Sequence, residues 1–211
     1  MRKDILFLFD WGGIIEPMEQ WAGNWERICS LYNLQDRFEE VGNAFYAKNF
    51  LTETSRNKNT LHKHIIEWLG SFGVNIDLEG ALLFEQRYLN EFRDDYTNEN
   101  LLLKIEELKS DFSTGIFSNV GVFDVVRQEI QTKNYAMFDK VYLSCDIGVC
   151  KPDIKIYKEV EKEFNPKKIY YFDDSLANVI TARNRDWNAF CPRNEKEILQ
   201  TIEKILGKGE F

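Results

Sequence analysis

Ile5-Leu6-Phe7-Leu8-Phe9-Asp10-Trp11-Gly12-Gly13 follows a short polar lead, and the rest of the chain is read around it. Five apolar residues in a row, closed by a glycine pair, fit a strand buried on both faces, as in the middle of a parallel sheet. Asp10 stands where that strand ends, and open α/β sheets bind ligands at the carboxyl ends of their strands. Asp before Gly-Gly also suits an ordinary turn, with the carboxylate accepting from backbone amides two residues on. Taken alone, the stretch leaves both readings open.

Beyond Gly13 the apolar spacing changes from strand to helix. Trp21, Trp25, Ile28 and Leu31 recur at threes and fours, as do Phe38, Val41 and Phe45; Leu61, Ile65, Trp68 and Leu69 predict a third helix. Leu78, Leu82, Tyr88 and Phe92 mark a fourth, and the polar run Thr52–Thr60 reads as a loop or a weak helix start. From Asn98 strands and helices alternate. The predicted strands are Phe112–Phe117, Lys140–Ser144, Lys168–Phe172 and Asn188–Cys191. Helices are predicted over Leu101–Leu108 and Phe123–Gln131, around Ile156–Phe164, and over Leu176–Arg185 and Glu195–Leu206. Such alternation implies right-handed crossovers and a mainly parallel sheet sandwiched by helices, an α/β Rossmann-like fold. The expected organisation is a core domain of residues 1–14 and 96–211, with residues 15–95 inserted as a helical domain.

With 211 residues, 44 % of them hydrophobic, the chain suffices for one well-buried core carrying a smaller insert. A formal net charge of -8 argues against nucleic acid and anionic membrane as partners. There is no apolar span long enough to cross a bilayer, and the N-terminus enters a strand directly, so the chain is expected to be cytoplasmic. Cys29, Cys145, Cys150 and Cys191 are scattered and read as reduced thiols. His62 and His64, two apart on a helix, read as solvated.

Three apolar strands end in polar residues: Asp10, Ser118-Asn119 and Asp173-Asp174; a loop adds Lys151. In a parallel sheet all carboxyl ends lie on one edge, so these groups converge whatever their separation in sequence. Asp10 with Asp173 and Asp174 would place three carboxylates together, which repel unless a cation is present. Hard oxygen ligands favour Mg²⁺, which keeps part of its octahedron for water and phosphate. Lys151 and the Ser118 hydroxyl would meet anionic oxygens, completing a site for a phosphoryl group open to attack by a carboxylate. Each piece also has a plain structural reading: Ser118-Asn119 or Asp173-Asp174 as helix caps, and Lys151-Pro152-Asp153 as a turn into a helix.

The order Phe9-Asp10-x-Gly-Gly, Gly115-Ile116-Phe117-Ser118-Asn119, Lys151-Pro152-Asp153 and Tyr171-Phe172-Asp173-Asp174-Ser175-x-x-Asn178 resembles the four motifs of the haloacid dehalogenase (HAD) superfamily. The resemblance spans nearly the whole chain, and residues 15–95 correspond to the family's all-helical cap. It implies that Asp10 is a nucleophile forming an aspartyl-phosphate. It further implies that Ser118, Asn119 and Lys151 bind the phosphoryl group, and that Asp10, the Gly12 carbonyl, Asp173 and Asp174 hold Mg²⁺, with Asn178 in support. The substrate would be a small phosphorylated metabolite. One departure stands out: most phosphatases of the family carry a second aspartate, the general acid/base, where this chain has Gly12. General acid/base help is worth roughly 10²–10⁴-fold in rate. The Asp-x-Gly-Gly pattern resembles sugar-phosphate phosphatases, whose activated leaving groups need less protonation. Glu16 is a candidate substitute acid, and Trp21, Trp25, Arg56 and Arg87 are candidate substrate contacts from the cap. Two further readings share the pattern: a metal-independent 2-haloacid dehalogenase, and a non-catalytic protein that keeps the fold.

Overall fold

The computed structural model describes residues 2–17, 21–45, 58–92, 97–121 and 135–207. Its sheet has five strands: β1 (Arg2–Phe9), β2 (Phe112–Ser118), β3 (Lys140–Leu143), β4 (Ile169–Phe172) and β5 (Asn188–Phe190). They lie side by side in the order β3-β2-β1-β4-β5, and every pairing is parallel. The opening stretch is therefore the central strand. β1 begins three residues earlier than the apolar run, because the exposed Arg2 pairs with Phe112 at the start of β2.

Alternation along β1 divides the core. Phe7 and Phe9 face one side and pack with Ile116, Phe172 and the apolar faces of α5 (Glu99–Leu108) and α9 (Glu195–Ile205). Leu6 and Leu8 face the other and pack with Phe117, Tyr171 and the faces of α7 (Ile154–Glu161) and α8 (Leu176–Arg183). Both faces of the strand are thus covered, which is why its sequence is an unbroken apolar run. Asp153 caps α7, accepting from the Lys155 amide at 3.0 Å. Asn194 caps α9 through the Glu197 amide at 3.0 Å. A short helix not anticipated from the spacing, α6 (Ser144–Ile147), follows β3 directly. The helix predicted over Phe123–Gln131 lies outside the described residues.

Between β1 and α5 run α1 (Trp21–Ser30), α2 (Phe38–Phe45), α3 (Lys58–Ser71) and α4 (Leu78–Glu91). These helices build a separate apolar cluster, from Trp25 to Phe92, without a residue from the sheet. Its centre is aromatic: Trp25 lies 5.1 Å from Phe45, Phe45 5.0 Å from Tyr88, and Tyr88 4.6 Å from Phe92. Ile14 and Ile15, by contrast, pack with the sheet. His62 departs from the solvated reading. It is buried at the contact between α3 and α4, with Nε2 2.8 Å from Glu85 Oε2. His64 is the more exposed of the two, because residues two apart on a helix take different faces. None of the four cysteines is joined in a disulfide. Among the described residues no helix is long and apolar enough to cross a membrane.

Candidate active site

β1 delivers Asp10 to the sheet edge, where its amide donates to the Phe172 carbonyl at 2.9 Å. The chain then folds into a tight turn. The Trp11 carbonyl accepts from the amides of Ile15 and Glu16, both at 2.9 Å, and the Gly13 amide donates to the Glu16 carbonyl at 2.7 Å. The two glycines of that turn differ. Gly13 has φ +74°, and a Cβ there would stand 2.5 Å from Cγ of Asp174, so only glycine permits both the turn and the approach of that carboxylate. At Gly12 a Cβ would meet nothing within 4 Å.

Lys151 links the site together. Its ammonium is buried and lies 2.9 Å from Asp10 Oδ2 and 2.7 Å from Asp173 Oδ2. It also donates to the Phe117 carbonyl at 2.7 Å and lies 3.0 Å from the Tyr171 hydroxyl. Asp173 is held from several sides. The Ser175 amide donates to it at 2.7 Å, the Asn178 amide group reaches its two oxygens at 3.1 and 3.0 Å, and Tyr171 donates to Oδ2. Asp10, Asp173 and Asp174 each offer an oxygen within 4.8 Å of the others.

Burial sets the electrostatics. It raises the Asp10 carboxyl from 3.8 to about 7; Lys151 opposes the shift, while Asp173 and Asp174 reinforce it. Burial would raise Asp173 as well, but Lys151, Tyr171 and the Ser175 amide together hold it below its usual value. Asp174 is raised by burial and then by Asp173. For Lys151, burial disfavours the ammonium, and Asp10 and Asp173 more than offset it, so its value is raised. Three converging carboxylates with two raised values are a site that a cation would relieve, and an all-oxygen donor set fits a hard divalent ion.

The remaining expected site residues fall as follows. Ser118 ends β2 and is 2 % exposed; since Phe9 stands opposite Ile116, Ser118 lies just past the level of Asp10 on the neighbouring strand. The Asn119 side chain meets the backbone of Lys151. Its side-chain oxygen accepts from the Lys151 amide at 2.8 Å and its nitrogen donates to the Lys151 carbonyl at 3.1 Å, so it grips the lysine backbone. Gly12 pairs with Glu16 across the turn. The Glu16 carboxylate accepts from the Trp11 indole at 2.7 Å, which engages the candidate acid with the turn itself. Trp25, a candidate substrate contact, is fully buried in the helical cluster instead. Arg87 lies half-buried on α4 near Tyr32. Arg56 and the Trp21 side chain lie outside the described residues. Sequence reading missed Tyr171; the available signal was a phenol on a strand buried on both faces, whose hydroxyl needs a partner.

No family model matches the chain. Among curated proteins, it is 28% identical over 105 residues to bifunctional epoxide hydrolase 2 of Rattus norvegicus, covering 47% of this chain and 19% of that protein. It is 26% identical over 76 residues to the drimenol cyclase drtB of Aspergillus calidoustus, covering 35% of this chain and 14% of that one. The chain thus spans less than a fifth of the length of either curated relative. Solved structures align along almost all of it. A HAD-like family hydrolase from Porphyromonas gingivalis superposes with a TM-score of 0.67 at 20% identity, over 96% of this chain and 97% of that one. A Bacillus subtilis HAD-hydrolase bound to magnesium gives 0.69 at 15% identity, over 98% and 100%. The fold is that of the HAD-like hydrolases. The L-2-haloacid dehalogenase of Xanthobacter autotrophicus also has this HAD-like fold, with a TM-score of 0.63 at 15% identity over 96% of this chain and 82% of that one. In the HAD-like fold of this chain, strand ends and loops gather Asp10, Ser118, Lys151, Asp173 and Asp174 at the same edge of the sheet.

Proposed function

We propose that the chain is a Mg²⁺-dependent phosphatase of small phosphorylated metabolites, with residues 15–95 as its cap and Asp10 as its nucleophile. The observation that carries this reading is the cluster of Asp10, Asp173 and Asp174 within 4.8 Å around a buried lysine. A metal-independent dehalogenase has no use for the third carboxylate, whereas a metal-assisted phosphatase does. Asp10, Asp173 and Asp174, with the Gly12 carbonyl, would hold Mg²⁺, which supplies charge neutralisation at the phosphoryl oxygens.

In the reaction, an Asp10 oxygen attacks phosphorus and forms the aspartyl-phosphate bond as the bond to the leaving oxygen breaks. Lys151 and Ser118 orient and neutralise the phosphoryl oxygens. Water then attacks phosphorus, releasing inorganic phosphate and restoring the carboxylate. Gly12 brings no proton to the leaving oxygen, which favours leaving groups that are stable without one, such as the anomeric oxygen of a sugar 1-phosphate. The magnesium-bound Bacillus subtilis neighbour supports the metal through shared fold alone.

The test is phosphate release from a panel of phosphomonoesters with Mg²⁺. Sugar 1-phosphates should be hydrolysed faster than sugar 6-phosphates, and Asp10→Asn or EDTA should abolish the activity. A silent panel, together with no rise in melting temperature on adding Mg²⁺ and beryllofluoride, rejects the reading. Metal-free chloride release from 2-chloropropionate would replace it with dehalogenation.

A further inference from the structure

We propose that Tyr171 is a positioning residue for the reaction, whose hydroxyl serves as a reserve acceptor for the Lys151 ammonium when Asp10 turns to phosphorus. The inference rests on the phosphatase reading and assigns a role to a motif residue that the resemblance leaves without one. Among the described residues four acceptors surround Lys151 Nζ: the Phe117 carbonyl at 2.7 Å, Asp173 Oδ2 at 2.7 Å, Asp10 Oδ2 at 2.9 Å and Tyr171 Oη at 3.0 Å. An ammonium has three protons, so one acceptor is always in surplus. The single phenol proton is committed to Asp173 Oδ2, and the phenol therefore presents a lone pair to the lysine.

The ring cannot drift from this position. It packs 5.4 Å from Phe117 and 5.7 Å from Trp187, and Tyr171 is fully buried. Until it reaches a phosphoryl oxygen, an ammonium proton released by Asp10 has few partners around the buried Lys151, and an unpaired charged donor in a buried site is expensive. Tyr171 provides that partner within reach. Lys151 can thus give up Asp10 to nucleophilic attack without leaving its place, and the phenol meanwhile shares the charge of Asp173. Without the hydroxyl, Lys151 keeps Asp10 as an obligatory partner and the nucleophile is held back.

Tyr171→Phe isolates the effect, because the ring stays and Lys151 retains three acceptors for three protons. The expected result is a fall of about tenfold in kcat on the best substrate of the panel with KM within twofold. The rise in melting temperature produced by Mg²⁺ with beryllofluoride, which mimics the phosphorylated aspartate, should shrink by more than half. Tyr142→Phe, which removes a phenol bonded to Glu163 on β3, is the control and should leave both readings unchanged. A Tyr171→Phe protein that melts lower but keeps the wild-type kcat and beryllofluoride shift makes the hydroxyl merely structural and overturns the inference alone. A wild type that neither releases phosphate from the panel nor gives a beryllofluoride shift overturns the phosphatase reading, and the inference falls with it.

Discussion

An added Cβ at Gly12 meets open space, while at Gly13 it runs into Asp174, so adjacent glycines stand in the turn for different reasons. Gly13 is required by backbone conformation and by the nearness of the carboxylate. Gly12 is not required by packing, which makes the missing acid/base a matter of chemistry that a substitution can reverse. Gly12→Asp should fold normally and raise kcat on a sugar 6-phosphate, whose leaving oxygen needs a proton, by roughly 10²-fold. The gain on a sugar 1-phosphate should be much smaller. Equal gains on both, or none, would show that leaving-group protonation does not limit this site. Glu16 is a poor substitute, because its carboxylate already accepts from the Trp11 indole and steadies the turn that aims Asp10.

At the level of elements, the Asn119 side chain ties the end of β2 to the backbone of the loop before α7. Asn119 makes paired hydrogen bonds to the amide and carbonyl of Lys151, as a neighbouring strand would, and so carries the lysine to the sheet edge. Asn119→Ala leaves two polar backbone groups without that partner, which costs about 1–3 kcal/mol each where water cannot replace it. The expected outcome is a lower melting temperature together with a fall in kcat larger than that in Tyr171→Phe, since the whole residue is displaced and not only its choice of acceptor. Thermal denaturation beside steady-state kinetics checks both. An unchanged kcat in a destabilised protein would mean that the lysine is placed by its contacts with Asp10, Asp173 and Phe117 alone.

For the whole molecule, the raised Asp10 carboxyl ties stability to pH. Its ordinary value is 3.8 and its folded value about 7, so the folded state holds this proton more tightly than the unfolded state does. The resulting stabilisation is complete below 3.8 and is lost as pH rises through about 7. Asp174, also raised, adds to the same trend, whereas the lowered Asp173 acts in the opposite sense and only in more acid solution. The melting temperature of the metal-free protein should therefore decline between pH 5 and pH 8, values on the order of the span between the two states. Saturating Mg²⁺ should flatten or reverse that decline, because it binds the ionised carboxylates. Calorimetry across that range with and without the metal decides it; a melting temperature that rises with pH in EDTA would contradict the burial of Asp10.

The fold was legible from residue order, because its signals are local. An unbroken apolar run marks a strand covered on both sides, threes and fours mark helices, and the parallel arrangement gathers the strand ends whatever their distance along the chain. Asp10, Ser118, Asp173 and Asp174 followed from that rule, and Lys151 was added from a loop. The pairing of side chains did not, because it depends on how elements cross and which rotamers their packing allows. Hence His62 found Glu85 across two helices, Trp25 sank into an aromatic centre, and Asn119 turned to a backbone 32 positions away. The same reason hid Tyr171, whose ring follows strand alternation but whose hydroxyl acquires a role only where Lys151 and Asp173 meet. Periodicity and strand-end chemistry reside in neighbours along the sequence, while the partners of a buried polar atom are chosen by three-dimensional packing.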